Sequence, residues 1–111
     1  MITVETLKNF GANVEEGLVR CMNNEEFYIM LVNKVLSDNK LDQLEQQINE
    51  KNLDAAFEIA HALKGMYANL SLDPITKPVT EITELLRARS DVDYSVLIAE
   101  AKTRFSELCR L

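Results

Sequence analysis

The sequence predicts an all-α fold, an antiparallel four-helix bundle with short additional helices at the N-terminal end. Three observations carry this expectation. Apolar residues recur at spacings of three and four along most of the chain, and no stretch alternates with a period of two. Only three glycines and two prolines interrupt 111 residues, so the elements are long and the connections short. Helix-start signals precede the main periodic segments. The length fits one domain, residues 1–111, which buries about two-thirds of its unfolded surface.

The first segment, roughly 3 to 9, is short and weakly amphipathic, and Gly11 ends it. Asn13 with Glu16 three residues on reads as a capping box opening a short helix through about Met22. Asn24 followed by Glu25 and Glu26 is a second start, with acids where the helix dipole favours them. Tyr28, Leu31 and Val35 keep helical spacing, and Leu41, Leu44 and Ile48 resume it beyond the polar patch SDNK at 37–40. The phase slips across that patch, which predicts a kink or a break in a long helix.

Asn52 caps the next helix, expected to end near Leu70 to Leu72. Asp73-Pro74 reads as a cap residue followed by proline at the first helical position. Pro78 sits late for a first-turn proline, so this helix is expected to begin irregularly or at Pro78 itself. Ile75, Val79, Ile82 and Leu86 mark its inner face. Asp91 or Asp93 caps the last helix, with Tyr94, Leu97, Ala101, Phe105 and Leu108 on one side.

Composition narrows the function. A net charge of −6 lacks the basic footprint of a nucleic-acid binder and gives no attraction to anionic membranes. No run approaches the roughly 18 apolar residues of a membrane span. The opening MITVETLKNF has neither a basic leader nor an apolar core, so no signal peptide is expected, and Met1 points to a free-standing protein or an N-terminal domain. Cys21 and Cys109 lack CxxC spacing and are expected as reduced thiols in the cytoplasm. A single histidine leaves no bundle metal site built on several imidazoles, so no metal is expected. Three glycines, none in a glycine-rich loop, leave nothing to cradle a nucleotide. Nothing demands a dimer, and a monomer is expected.

The one histidine, His61, opens the stretch HALKGMYANL at 61–70. Leu53, Ala56, Ala60, Leu63, Tyr67 and Leu70 form the core stripe of its helix, and His61 projects about 130° from the centre of that stripe. Ala55, Ile59 and Met66 lie on the other flank, able to pack against a second helix. Phe57 and Gly65 stand one turn either side of His61, Lys64 three residues on, and Ala68 beyond, with Asp54 and Glu58 at the border. Taken singly, a surface histidine is incidental, a lysine is a solvated charge, and Phe57 is a core-edge residue.

Together they are not. Glycine inside a helix costs about 1 kcal/mol relative to alanine. Helical side chains lean toward the N-terminus, so any side chain at 65 would crowd the imidazole. Its absence opens His61 to a large partner. Lys64 supplies a mobile ammonium with three donors, needed because a mid-helix site is far from the positive helix end that usually holds phosphate.

The run AHALKG on the outward face of a helix in an acidic helical domain resembles the histidine-containing phosphotransfer domains of two-component phosphorelays, whose signature is H-x-L-K-G. The earlier stretch GLVRCMNNEEFYIMLVNKVL is similar to that family's entry helices, so the resemblance spans roughly residues 13 to 110. It departs at Met66 and Tyr67, where members usually have small residues, and at Ser71, where many have glycine. Tyr67 points inward by phase, which predicts a locally different core.

The resemblance implies a phosphoprotein without an ATP site of its own, not an enzyme by itself. His61 would accept a phosphoryl group from a response-regulator receiver aspartate and pass it to another. Lys64 would steady the phosphoryl oxygens and Gly65 give the regulator clearance, with Asp54, Phe57, Glu58 and Ala68 contacting it. The partners would be receiver domains or a hybrid sensor kinase, and Mg²⁺ would belong to the receiver only. An imidazole with a pKa of about 6.5 is largely neutral at pH 7 and can act as a nucleophile. Two other readings stay open: an unphosphorylated helical adaptor binding a receiver-like partner through the same face, or the histidine-bearing domain of a larger sensor or chemotaxis-type kinase.

Overall fold

A computed structural model describes residues 1–111, and every regular element in it is a helix. The seven are α1 (Val4–Phe10), α2 (Val14–Arg20), α3 (Glu25–Leu36), α4 (Lys40–Asn49), α5 (Leu53–Asn69), α6 (Asp73–Arg87) and α7 (Ser95–Cys109). α5 lies between α4 and α6, and α7 packs on α6 and reaches back to α4. Lys102 of α7 ties that last contact, 2.9 Å from Glu45 and 3.5 Å from Asp42 of α4. α1 and α3 also touch α7.

Local chemistry explains most boundaries. Thr3 and Thr6 form a reciprocal capping box on α1, and Gly11 closes it at φ 113°, a left-handed conformation that glycine adopts without strain. Asn13, Asn24 and Asn52 accept the N–H groups of Glu16, Phe27 and Ala55. The expected box at Asn13 is only half made. The Asn13 N–H donates instead to the Ser71 carbonyl at 2.9 Å, so a tertiary bond takes the place of the reciprocal one. The polar patch after Leu36 is a full break, and α4 restarts at Lys40 without a side-chain cap. α2 stops at Arg20, short of Met22, because Met22 and Asn23 are left-handed.

Two expected starts are displaced. Asp73 is the first residue of α6 and not its cap; Leu72 holds the cap position without a side-chain bond. Pro78 lies inside the helix, buried, so α6 begins neither irregularly nor at Pro78. A proline at the sixth position removes one N–H, which leaves the Pro74 carbonyl as the one that loses its intrahelical donor. At α7 the cap position is Tyr94, although the Asp93 carboxylate does accept the Ser95 N–H at 2.9 Å.

The core is a single cluster of 24 buried residues. Ala56, Ala60, Leu63 and Tyr67 of α5 and Leu70 at its C-cap belong to it, while Leu53 is half-buried. Ile75, Val79, Ile82 and Leu86 of α6 are fully inside. Tyr28, Val32 and Val35 of α3 and Ile98, Ala101, Phe105 and Leu108 of α7 are buried, while Leu31 and Leu97, expected on those faces, are half-buried beside Val32 and Ile98.

The turn after α5 is braced by the N-terminal helices. The Leu72 and Ser71 N–H groups bond to the Tyr67 and Ala68 carbonyls, a Schellman closure with Ser71 left-handed at φ 55°. Glycine would sit there with less strain. Ser71 instead donates its hydroxyl to Glu16 at 3.2 Å, and the buried Tyr28 hydroxyl donates to the Leu70 carbonyl at 2.8 Å. Gly17 makes room for that tyrosine, since a Cβ there would lie 2.7 Å from the Tyr28 ring. The Tyr67 hydroxyl is buried with no partner.

Burial pushes all three tyrosine hydroxyls up, Tyr28 to about 12. The fold holds the neutral phenol, so this stability is fully present below the ordinary value of 10.0 and is lost as pH rises toward 12. An alkaline titration followed by phenolate absorbance should therefore show Tyr28 and Tyr67 silent near pH 10, their phenolates appearing together with loss of helical circular dichroism. Ionisation of Tyr28 or Tyr67 near 10 in the folded chain would contradict this packing.

Candidate functional site

The buried stripe fixes how α5 is rotated. With Ala56, Ala60, Leu63 and Tyr67 inside, His61 and Gly65 are exposed, as helical phase predicts. Ala55, Ile59 and Met66 are half-buried on the flank. His61 is not a free imidazole on a bare helix. Its ring stacks on that of Phe57 one turn earlier, with centroids 5.6 Å apart and an interplanar angle of 21°. Phe57 is half-buried, packing against the core while it supports the imidazole, so it acts at the core edge and at the site together.

Two guanidinium groups lie over the Phe57 ring, Arg87 at 5.1 Å and Arg89 at 5.3 Å from its centroid. Cations at this distance are held by the ring quadrupole, worth about 0.5–1 kcal/mol at an exposed site. Arg87 comes from the last turn of α6. Arg89 follows it in a left-handed conformation at φ 52°, and its guanidinium bonds to Asp54 at 2.7 and 2.8 Å and to the Leu86 carbonyl. Asp54 is therefore engaged within the chain.

Lys64 departs from the expected mobile ammonium. Its Nζ lies 3.6 Å from Glu84 of α6, whose other oxygen accepts from Arg87 Nε at 3.1 Å. One carboxylate thus bridges two cations on the histidine's face. Glu58 is exposed and takes part in no ion pair. Ala68 is half-buried, and its carbonyl accepts from Arg20 of α2.

Gly65 has open space where a side chain would be: nothing, the His61 ring included, lies within 4 Å of the position a Cβ would take, so a first side-chain carbon there does not crowd the imidazole as the helical lean suggested. Close helix packing does not explain this glycine.

Structure thus gathers His61, Lys64, Gly65 and Phe57 on one face, with Asp54 and Glu58 toward one end and Ala68 toward the other. Sequence reasoning missed Glu84, Arg87 and Arg89. The run TELLRAR held a signal, because Glu84 and Arg87 flank the inward Leu86 at helical spacing. Which helix they would face was not written in it. No cluster of three or more His, Cys, Asp or Glu side chains is arranged to hold a metal ion. No helix is long and apolar enough to cross a membrane.

The family model described as the Hpt domain matches residues 34–110, from the last turn of α3 to the end of α7. The entry stretch before residue 34 lies outside the match. No curated protein and no solved structure matches the chain.

The two glycines predict opposite outcomes in thermal melts. Gly65→Ala should raise stability by about 0.5–1 kcal/mol, since it improves helix propensity and meets no neighbour. Gly17→Ala should lower it by about 1–3 kcal/mol by displacing Tyr28. A destabilised Gly65→Ala would show that the open face is not open.

Proposed function

The chain belongs to the Hpt-domain family, whose members carry phosphoryl groups in two-component phosphorelays, and from that premise we propose that His61 is its phosphoacceptor, taking the group from a receiver aspartate and passing it to another. The observation that carries this reading is the pairing of an exposed imidazole with Gly65, whose missing side chain is used by nothing inside the chain. The clearance serves something outside it.

In the forward step the unprotonated ring nitrogen of His61 attacks the phosphorus of the aspartyl phosphate. The N–P bond forms, the P–O bond to aspartate breaks, and the carboxylate leaves with its electron pair. The proton on the other ring nitrogen stays. Such a transfer passes through a loose transition state that depends on in-line alignment and charge neutralisation. Stacking on Phe57 limits rotation of the imidazole, which favours alignment. Lys64 neutralises phosphoryl charge, and Gly65 admits the receiver surface. Mg²⁺ is the receiver's contribution.

Asp54, Phe57, Glu58 and Ala68 form the rim that the receiver contacts, Ala68 through its exposed flank. In this reading the protein acts as a monomer in the cytoplasm with its receivers. α4 to α7 serve as the antiparallel four-helix bundle of the family, in one domain with α1 to α3. The chain has no ATP chemistry of its own in this reading.

Incubation with a receiver carrying labelled phosphoryl should label the wild type and leave His61→Gln unlabelled, a complete loss. The label should be acid-labile and base-stable. If neither chain takes label from receivers that serve another phosphocarrier, while both bind them, the face belongs to an unphosphorylated adaptor.

A further inference from the structure

Glu84 stands on α6, yet its carboxylate holds the one lysine beside the histidine. Lys64 Nζ lies 3.6 Å from one oxygen and Arg87 Nε lies 3.1 Å from the other. Both cations belong to the histidine's face. Arg87 sits over the Phe57 ring on which His61 stacks, and Lys64 follows His61 by three residues on α5. An anion arriving at His61 therefore meets an ammonium that already has a counterion.

The strength of that hold decides its role. The Lys64 side chain is 32% exposed and that of Glu84 is 53% exposed. Ion pairs this open are worth little, about 0–1 kcal/mol, and exchange readily. A phosphoryl group on His61 carries up to about two negative charges against the single charge of a carboxylate. It outcompetes Glu84 for Lys64. Glu84 loses little, because Arg87 remains bound to its second oxygen at the shorter distance.

We propose that Glu84 is a positioning residue that holds Lys64 in reserve while His61 is bare and cedes it when His61 carries a phosphoryl group. The inference rests on the phosphocarrier reading for its purpose. Its physical content concerns only this chain. Glu84 weakens the grip of Lys64 on the phosphoryl group and so keeps that group transferable.

The test needs no partner. Phosphoramidate phosphorylates histidine directly: its P–N bond breaks, an N–P bond to the imidazole forms, and ammonia leaves. His61 is the only histidine, so the product is unique. The second ionisation of the phosphoryl group is then followed by phosphorus NMR in wild type, Glu84→Gln, Lys64→Ala and the double variant, each checked for helical content. A freed ammonium favours the dianion. Glu84→Gln should therefore lower the midpoint by about 0.2–0.7 pH units, and by clearly less in the Lys64→Ala background. Glu84→Asp, which keeps the charge but shortens the reach, should fall between wild type and Glu84→Gln, and it carries the test if the amide variant is poorly folded. An equal shift with and without Lys64 would make Glu84 a plain neighbouring charge and overturn the proposal. No shift at all would overturn it as well. Failure of transfer from receivers, with the shift present, would count against the phosphocarrier reading alone.

Discussion

The rotation of α5 about its own axis is the constraint on which the rest of the molecule depends. Ala56, Ala60, Leu63 and Tyr67 are buried against the neighbouring helices. Turning the helix by one residue position would expose Leu63 and Tyr67 and bury His61. Fully burying a leucine is worth about 1.5–3 kcal/mol, and burying an unpaired polar ring costs about 1–3 kcal/mol more. Those amounts are large beside the 5–15 kcal/mol that typically separates folded from unfolded chains. The imidazole points outward because the core leaves it nowhere else to go. No side chain at 65 is needed to hold it there.

A second set of contacts fixes where α5 ends. Tyr28 of α3 bonds to the Leu70 carbonyl, Asn13 bonds to the Ser71 carbonyl, and Glu16 accepts from the Ser71 hydroxyl. These bonds come from α2, its N-cap and α3, ahead of or at the edge of the region the family match covers. They hold a serine in a left-handed conformation that glycine would adopt more easily. Gly17 is the counterpart of this arrangement, since it leaves room for the Tyr28 ring. The short N-terminal helices thus clamp the far end of the helix that carries the histidine.

Much of this was legible in the residues. Periodicity located the main helices, and the asparagines at 13, 24 and 52 located their starts, because capping is a local bond between near neighbours. The outward direction of His61 followed from the stripe alone. What escaped was tertiary. Lys64 reads as a free ammonium until α6 brings Glu84 beside it. Asp54 reads as a rim charge until Arg89 folds back over Phe57 to meet it. Asp73 and Pro78 misled for a related reason: the packed face of α6 carries the helix through a proline that propensity alone would place at an end. The Tyr67 hydroxyl shows the same priority of packing, buried without a partner because its ring fills the core.

The account turns on Gly65, a helix-weakening residue whose open position no contact inside the chain explains. The most direct measurement sets the rate of phosphoryl transfer from a receiver beside thermal stability for wild type, Gly65→Ala and Gly65→Leu. The account predicts opposite trends, with both variants at least as stable as wild type while transfer slows progressively as the side chain grows. Transfer that stays unchanged through leucine would contradict it, because the open space beside His61 would then serve no partner.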